Sequence, residues 1–146
     1  MSLNLNVQLS GVDTSMPRLA SGNYPLRIVK HEVVESKKVA GNNNLLMHFE
    51  TTQPAESTRG DVIQPGYKLR RYYPLQQSET EGAPAFERDL AVLIDAAYGT
   101  DASNRPNLSD ETVLGMYGKE VLGSVKVEKD EAYGESNSIG FLKHIA

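Results

Sequence analysis

The chain has no cysteine among its 146 residues, which excludes disulfides, cysteine-based zinc sites, iron–sulfur clusters and thiol nucleophiles. Its three histidines, His31, His48 and His144, fall in no metal-ligand spacing. No apolar run approaches the roughly 20 residues of a membrane span, and the opening Met-Ser-Leu-Asn-Leu-Asn lacks the charged and apolar blocks of a signal peptide. The expectation is a soluble, cytoplasmic protein with no membrane partner. Catalytic motifs are also missing: there is no phosphate-binding glycine loop, no Gly-x-Ser-x-Gly elbow and no His-Glu-x-x-His. Asp89, Asp95 and Asp101 are spaced like the outer face and exit of a helix, and Asp110-Glu111 suit a helix N-terminus. A non-enzymatic protein without cofactor or metal is therefore expected.

What is present is an uneven distribution of charge. The net charge is −4, but residues 24–73 carry eight Lys and Arg against five acids, and residues 74–146 carry six against thirteen. The first half is thus +3 and the second −7, an asymmetry that says more about partners than the total does. The densest basic stretch, Gln64 to Leu75, interleaves Tyr67, Tyr72 and Tyr73 with Lys68, Arg70 and Arg71. Rings stack on bases and cations pair with phosphates, the two chemistries that hold a single nucleic-acid strand. Tyr is also simply a good strand former on a half-buried sheet.

Hydrophobic periodicity organises the chain into one domain of mainly β structure. Residues 1–21 form a polar arm or edge strand in which Leu3, Leu5, Val7 and Leu9 alternate with Asn4, Asn6 and Gln8; the domain proper spans 22–146. Tyr24 to Glu35 reads as a first strand, Lys37 to Asn44 as a hairpin turn, and Leu45 to Thr52 as a second strand. Gln53 to Asp61 reads as a loop, and Val62 to Leu75 as a third strand interrupted at Pro65-Gly66. The period then changes: Pro84 suits a first helical turn, Phe86, Leu90, Leu93, Ile94 and Ala97 recur at helical spacing, and Gly99 stops the helix. Ser109 caps a short second helix ending near Gly115 to Gly118. Val121 to Glu128 is a fourth strand, Lys129 to Ser136 a loop carrying Tyr133, and Asn137 to Ile145 a fifth strand.

Five strands with a helix between the third and fourth is the connectivity of the OB-fold, a five-stranded Greek-key barrel that binds oligonucleotides on its middle strands and through two loops. Other small five-stranded barrels and sandwiches give the same order. Gly22-Asn23-Tyr24, Val33 to Lys37, Asn44 to Glu50, the helix Asp89 to Gly99, Gly118 to Val121 and Asn137-Ser138-Ile139 together resemble bacteriophage single-stranded-DNA-binding proteins with an OB-fold, over roughly residues 22–142. The resemblance implies binding of single-stranded DNA in phage replication or recombination, within the bacterial host cytoplasm. It also implies a homodimer or higher homo-oligomer and contacts with replication or recombination proteins. The acidic tail by which many such proteins recruit partners has no counterpart in Phe141 to Ala146.

On that fold Lys68, Arg70, Arg71, Tyr72 and Tyr73 lie on the third strand beside His48 on the second. Lys37 and Lys38 lie in the loop between the first two strands, and Tyr133 in the loop between the last two. These nine are the candidate nucleic-acid-binding residues. If Leu69 packs inward, Arg71 and Tyr73 follow it and Lys68, Arg70 and Tyr72 form the outer face. An inward Arg71 is costly unless paired, so a bulge near Arg70-Arg71 or the Pro65-Gly66 break is expected to shift the register. The rival class is a phage particle component or adaptor that uses a small β-barrel as an interaction module, with the same tyrosines at a protein interface.

Overall fold

The computed structural model describes residues 6–10, 17–37, 41–76, 86–130 and 134–145. Seven strands and two helices are formed among the described residues: β1 Gly22–Glu35, β2 Asn43–Thr51, β3 Ala55–Glu56, β4 Val62–Ile63, β5 Lys68–Pro74, α1 Phe86–Tyr98, α2 Asp110–Leu114, β6 Glu120–Asp130 and β7 Gly134–His144. Five of the strands make one antiparallel sheet in the order β5-β2-β1-β6-β7, and β3 and β4 pair separately. The fold is therefore mainly β with two helices, built on a five-stranded sheet.

The long central strand joins the two halves of the sheet. Its first part, Gly22 to Arg27, pairs with β6, and its second, Leu26 to Glu35, pairs with β2. Alternation along each strand sends one apolar set inward: Leu26 and Ile28, then Leu45, Met47 and Phe49, then Leu69 and Tyr73. Leu90, Leu93, Ile94 and Ala97 of α1 join the same core, with the helix packed chiefly on β7 and also on β5 and β6. Leu93 is wholly buried, so truncating it to Ala costs about 2–5 kcal/mol. Gly99 ends α1 at φ 69°, donating its N–H to the Asp95 carbonyl. A side chain there would also collide with His144, whose Nε2 lies 2.8 Å from where a Cβ would stand. Ser109 accepts the Thr112 N–H at the start of α2, as a cap should.

The two edge strands approach each other without a backbone ladder. Tyr67 Oη donates to Asn137 Oδ1 at 2.9 Å, and Arg71 donates to the Gly140 carbonyl. From Tyr67, just before β5, to Arg71 within it, the partners advance from Asn137 to Gly140 on β7, so the seam has a parallel sense, and the sheet remains open there.

Several expectations need correction. The register of β5 on β2 runs without a shift from Asn44 opposite Pro74 to Glu50 opposite Lys68, so there is no bulge at Arg70-Arg71. Arg71 does point inward, and its charge is met by pairing: it bonds Gly140, lies 3.5 Å from Asp89 and stands 4.8 Å over the Tyr73 ring. The domain begins before residue 22, because Leu19 is fully buried and Ala20 and Thr58 bond backbone across to Glu56 and Arg18. Asn6–Ser10 form no strand, and residues 1–5 lie outside the described residues. Pro65-Gly66 divides the expected third strand, its first part pairing with β3 instead. The Lys129 to Ser136 loop is largely strand, since β6 runs to Asp130 and β7 starts at Gly134. Pro84 lies outside the described residues. No helix among the described residues is long and apolar enough to cross a membrane.

Candidate nucleic-acid interface

The outer face of β5, β2 and β1 is a grid of three cross-strand rows. Lys68 stands opposite Glu50, which stands opposite Arg27; Arg70 opposite His48 and then Lys30; Tyr72 opposite Leu46 and then Glu32. Neighbours across a ladder lie about 5 Å apart at Cβ, so the rows act as units. Four cations face two carboxylates on this grid.

The carboxylates are already engaged. Glu50 Oε1 lies 3.3 Å from Arg27 Nη1, and Glu32 Oε2 lies 2.8 Å from His48 Nε2. The hydrogen bond from His48 holds the Glu32 carboxyl below its usual range. Lys68 and Arg70 are exposed and lie along β5 outside these pairs. The Arg70 guanidinium sits 5.9 Å from the centre of the Tyr72 ring, which is 48% exposed. Leu46 alternates outward yet is only 5% exposed and stands apart from the main core, with Tyr72 and Glu32 as its cross-strand neighbours.

Two depressions lie at the ends of this face. One, of roughly 660 Å³, lies between the β1–β2 connection and the end of β5, with Lys37, Asn44, Tyr72 and Gln76 among its walls. Asn43 N–H donates to Gln76 Oε1 at 2.8 Å and Leu75 N–H to the Asn43 carbonyl, which fixes that wall. The other, of roughly 470 Å³, is bounded by Arg18, His48, Tyr67, Lys68 and Arg70 beside the β5–β7 seam. A path from Arg18 past Lys68, Arg70 and Tyr72 to Lys37 thus carries four cations and one exposed ring.

Of the nine residues named from sequence, Lys68, Arg70, Tyr72 and His48 share this face and Lys37 lines its far groove. Tyr73 does not: it is 1% exposed, and burial pushes its hydroxyl up to about 12, so no base can reach its ring. Arg71 is likewise turned inward and committed to Gly140, Asp89 and Tyr73. Lys38 and Tyr133 lie outside the described residues.

Sequence reasoning missed Arg27 and Lys30. Arg27 follows from alternation once β1 is paired with β2. Lys30 does not, because strict period two from the buried Ile28 would turn it inward; an extra residue at Val29 shifts the register between Ile28 and Lys30 and brings Lys30 out. The acids set aside as helix decoration have structural partners. Asp89 meets Arg71, and Asp95 makes a two-point contact with Arg105 at 2.9 and 2.6 Å. Among the described residues no group of three metal-ligating side chains gathers. Set against known proteins, the chain matches no family model and no curated sequence.

Proposed function

We propose that this chain is an OB-type Greek-key barrel, open at the β5–β7 seam, that binds single-stranded DNA non-enzymatically on the outer face of β5, β2 and β1. Binding is largely independent of sequence, through stacking on Tyr72 and phosphate contacts to Lys68, Arg70, Lys30 and Lys37. The strand order, with the first strand central and the third and last strands meeting in a parallel sense, supports the barrel. The observation that carries the binding is the exposed Arg70–Tyr72 pair within a row of cations that has a depression at each end. A barrel of this kind covers about 4–16 nucleotides, which favours a homodimer or larger assembly on longer strands. Replication or recombination of phage DNA is the setting in which such an activity serves.

The test is fluorescence anisotropy of a labelled oligo-dT of about 30 nucleotides at low and high salt, with duplex as competitor. Single-strand preference and a steep loss of affinity with salt are expected. Arg70→Ala combined with Tyr72→Ala should weaken binding at least about tenfold while the domain stays folded. Absence of binding at low salt sinks the proposal.

A second reading, a phage particle or adaptor module, draws support from a different surface. Val33, Leu114 and Tyr117 are 59%, 54% and 39% exposed, and Tyr117 joins His31 at 2.5 Å from its Nδ1. An apolar contact there persists in salt, which separates the two readings.

A further inference from the structure

Among the described residues, Tyr72 is one of two exposed rings that the main sheet turns outward beneath a cation. On β7, Phe141 is 50% exposed while the next residue, Leu142, is 4% exposed. Lys143 Nζ stands 5.2 Å from the Phe141 ring, which repeats the Arg70–Tyr72 arrangement on the opposite edge strand.

A bulge turns Phe141 outward. Gly123 pairs with Leu142 and Val125 with Ile139, so Ser124 alone faces both Gly140 and Phe141. From the buried Ile139, plain alternation would send residue 141 into the core and 142 out; the extra residue reverses both. Ser124 Oγ accepts the Phe141 N–H at 3.0 Å and secures the bulge. A Cβ on Gly140 would lie 2.4 Å from that Oγ, so the bulge is built around a glycine. A local construction therefore places a large apolar ring in water where the strand pattern would bury it.

The position of the ring relative to Tyr72 follows from the seam. Arg71 donates to the Gly140 carbonyl and Tyr67 to Asn137, so Gly140-Phe141 runs beside Arg71-Tyr72, in the same direction. Burial of Leu69, Tyr73 and Leu142 on the inner side leaves Tyr72 and Phe141 on the same outer surface.

We propose that Phe141 is a second base-stacking position, and that the bound single strand crosses the β5–β7 seam from Tyr72 to Phe141, with Lys143 shifting from the ring to a phosphate as the base lands. This inference rests on the single-strand-binding reading above and adds the course of the strand. It closes the path over the open edge of the sheet.

The chain contains no tryptophan, so Phe141→Trp and, separately, Tyr72→Trp each introduce a unique indole that keeps a stacking face. Titration with oligo-dT should quench both reporters with midpoints agreeing within about twofold. Phe141→Ala should weaken strand affinity at least about fivefold. Quenching at Tyr72→Trp with none at Phe141→Trp, or unchanged affinity in Phe141→Ala, overturns the crossing and leaves the single-strand reading intact. Silence of both reporters overturns both. If Phe141→Ala changes the sedimentation mass and not the strand affinity, the ring serves a protein contact and the crossing is wrong. Should either tryptophan variant melt early, photo-cross-linking of the unaltered protein to iododeoxyuridine-containing oligo-dT decides. A cross-linked peptide containing Phe141 supports the proposal, and cross-links confined to β5, β2 and β1 overturn it.

Discussion

Arg70 and Arg71 are adjacent cations that face opposite sides of the sheet, and on the proposed single-strand reading replacing each by Met should separate stability from binding. Met keeps most of the aliphatic stem, so the comparison isolates the guanidinium. At Arg71 the change removes a charge-assisted hydrogen bond to Gly140, about 1.5–3 kcal/mol. It also removes an ion pair at 3.5 Å with Asp89, whose side chain is 46% exposed, which puts that pair at about 0.2–1 kcal/mol. The cation over Tyr73 at 4.8 Å adds about 0.5–1 kcal/mol. These terms share one group and do not add fully. Gly140 is partly exposed, so water can take over its carbonyl. A loss of about 2–3 kcal/mol is expected, equivalent to roughly 5–10 °C in Tm for a chain of this size. Strand affinity of the folded fraction should change less than about twofold, since the guanidinium points inward and is engaged by Gly140, Asp89 and Tyr73 beneath the outer surface. Arg70→Met should do the reverse: stability within about 0.5 kcal/mol of the parent, weaker strand binding, and a shallower dependence of log affinity on log salt by about 0.7. Urea denaturation and anisotropy titrations at several salt concentrations read both quantities. An Arg71→Met protein of undiminished stability that binds poorly would refute the assignment of Arg71 to the seam.

Three other substitutions probe the framework. Tyr73 Oη is buried and meets no hydrogen-bond partner of good geometry among the described residues, so Tyr73→Phe should leave strand binding unchanged and stability equal or up to about 1 kcal/mol higher by denaturation; a loss above 1 kcal/mol would mean the hydroxyl is paired. Asn137 accepts from Leu19 N–H and Tyr67 Oη and donates to the Leu19 carbonyl, each at 2.9 Å. Asn137→Ala leaves the buried Leu19 backbone unpaired, and a loss of about 2–4 kcal/mol is expected, with faster hydrogen exchange around residues 19–20; normal protection there would contradict the anchoring role. The Arg105 guanidinium holds the Asp95 carboxyl below its ordinary range. A depressed folded-state pKa contributes stability above the unfolded value and loses it as pH falls through the folded one. Arg105→Ala should therefore lower stability at pH 7 and cost progressively less as pH drops below about 4; a cost that persists unchanged at pH 2 would show that the contact acts through packing rather than charge.

Local pattern was sufficient wherever a residue's role is set by its near neighbours in the chain. The recurrence of Leu90, Leu93, Ile94 and Ala97 and the stop at Gly99 specify α1, Ser109 specifies the start of α2, and alternation through Leu69 and Tyr73 already placed Lys68, Arg70 and Tyr72 together. The density of cations and rings between Gln64 and Leu75 likewise marked the part of the chain on which the candidate face is built. What sequence could not decide was everything that depends on pairing between distant segments. Whether an inward Arg71 is tolerable depends on Gly140 and Asp89, which are 69 and 18 residues away in the chain. Whether Lys30 and Phe141 face water depends on single-residue bulges, and one extra residue inverts every side chain beyond it. Leu19 enters the core because Asn137, 118 residues later, meets its backbone. Period and composition determine which elements form, because those preferences are local; registers, bulges and long-range hydrogen bonds determine which side chains reach a ligand, because those are settled only when the strands meet.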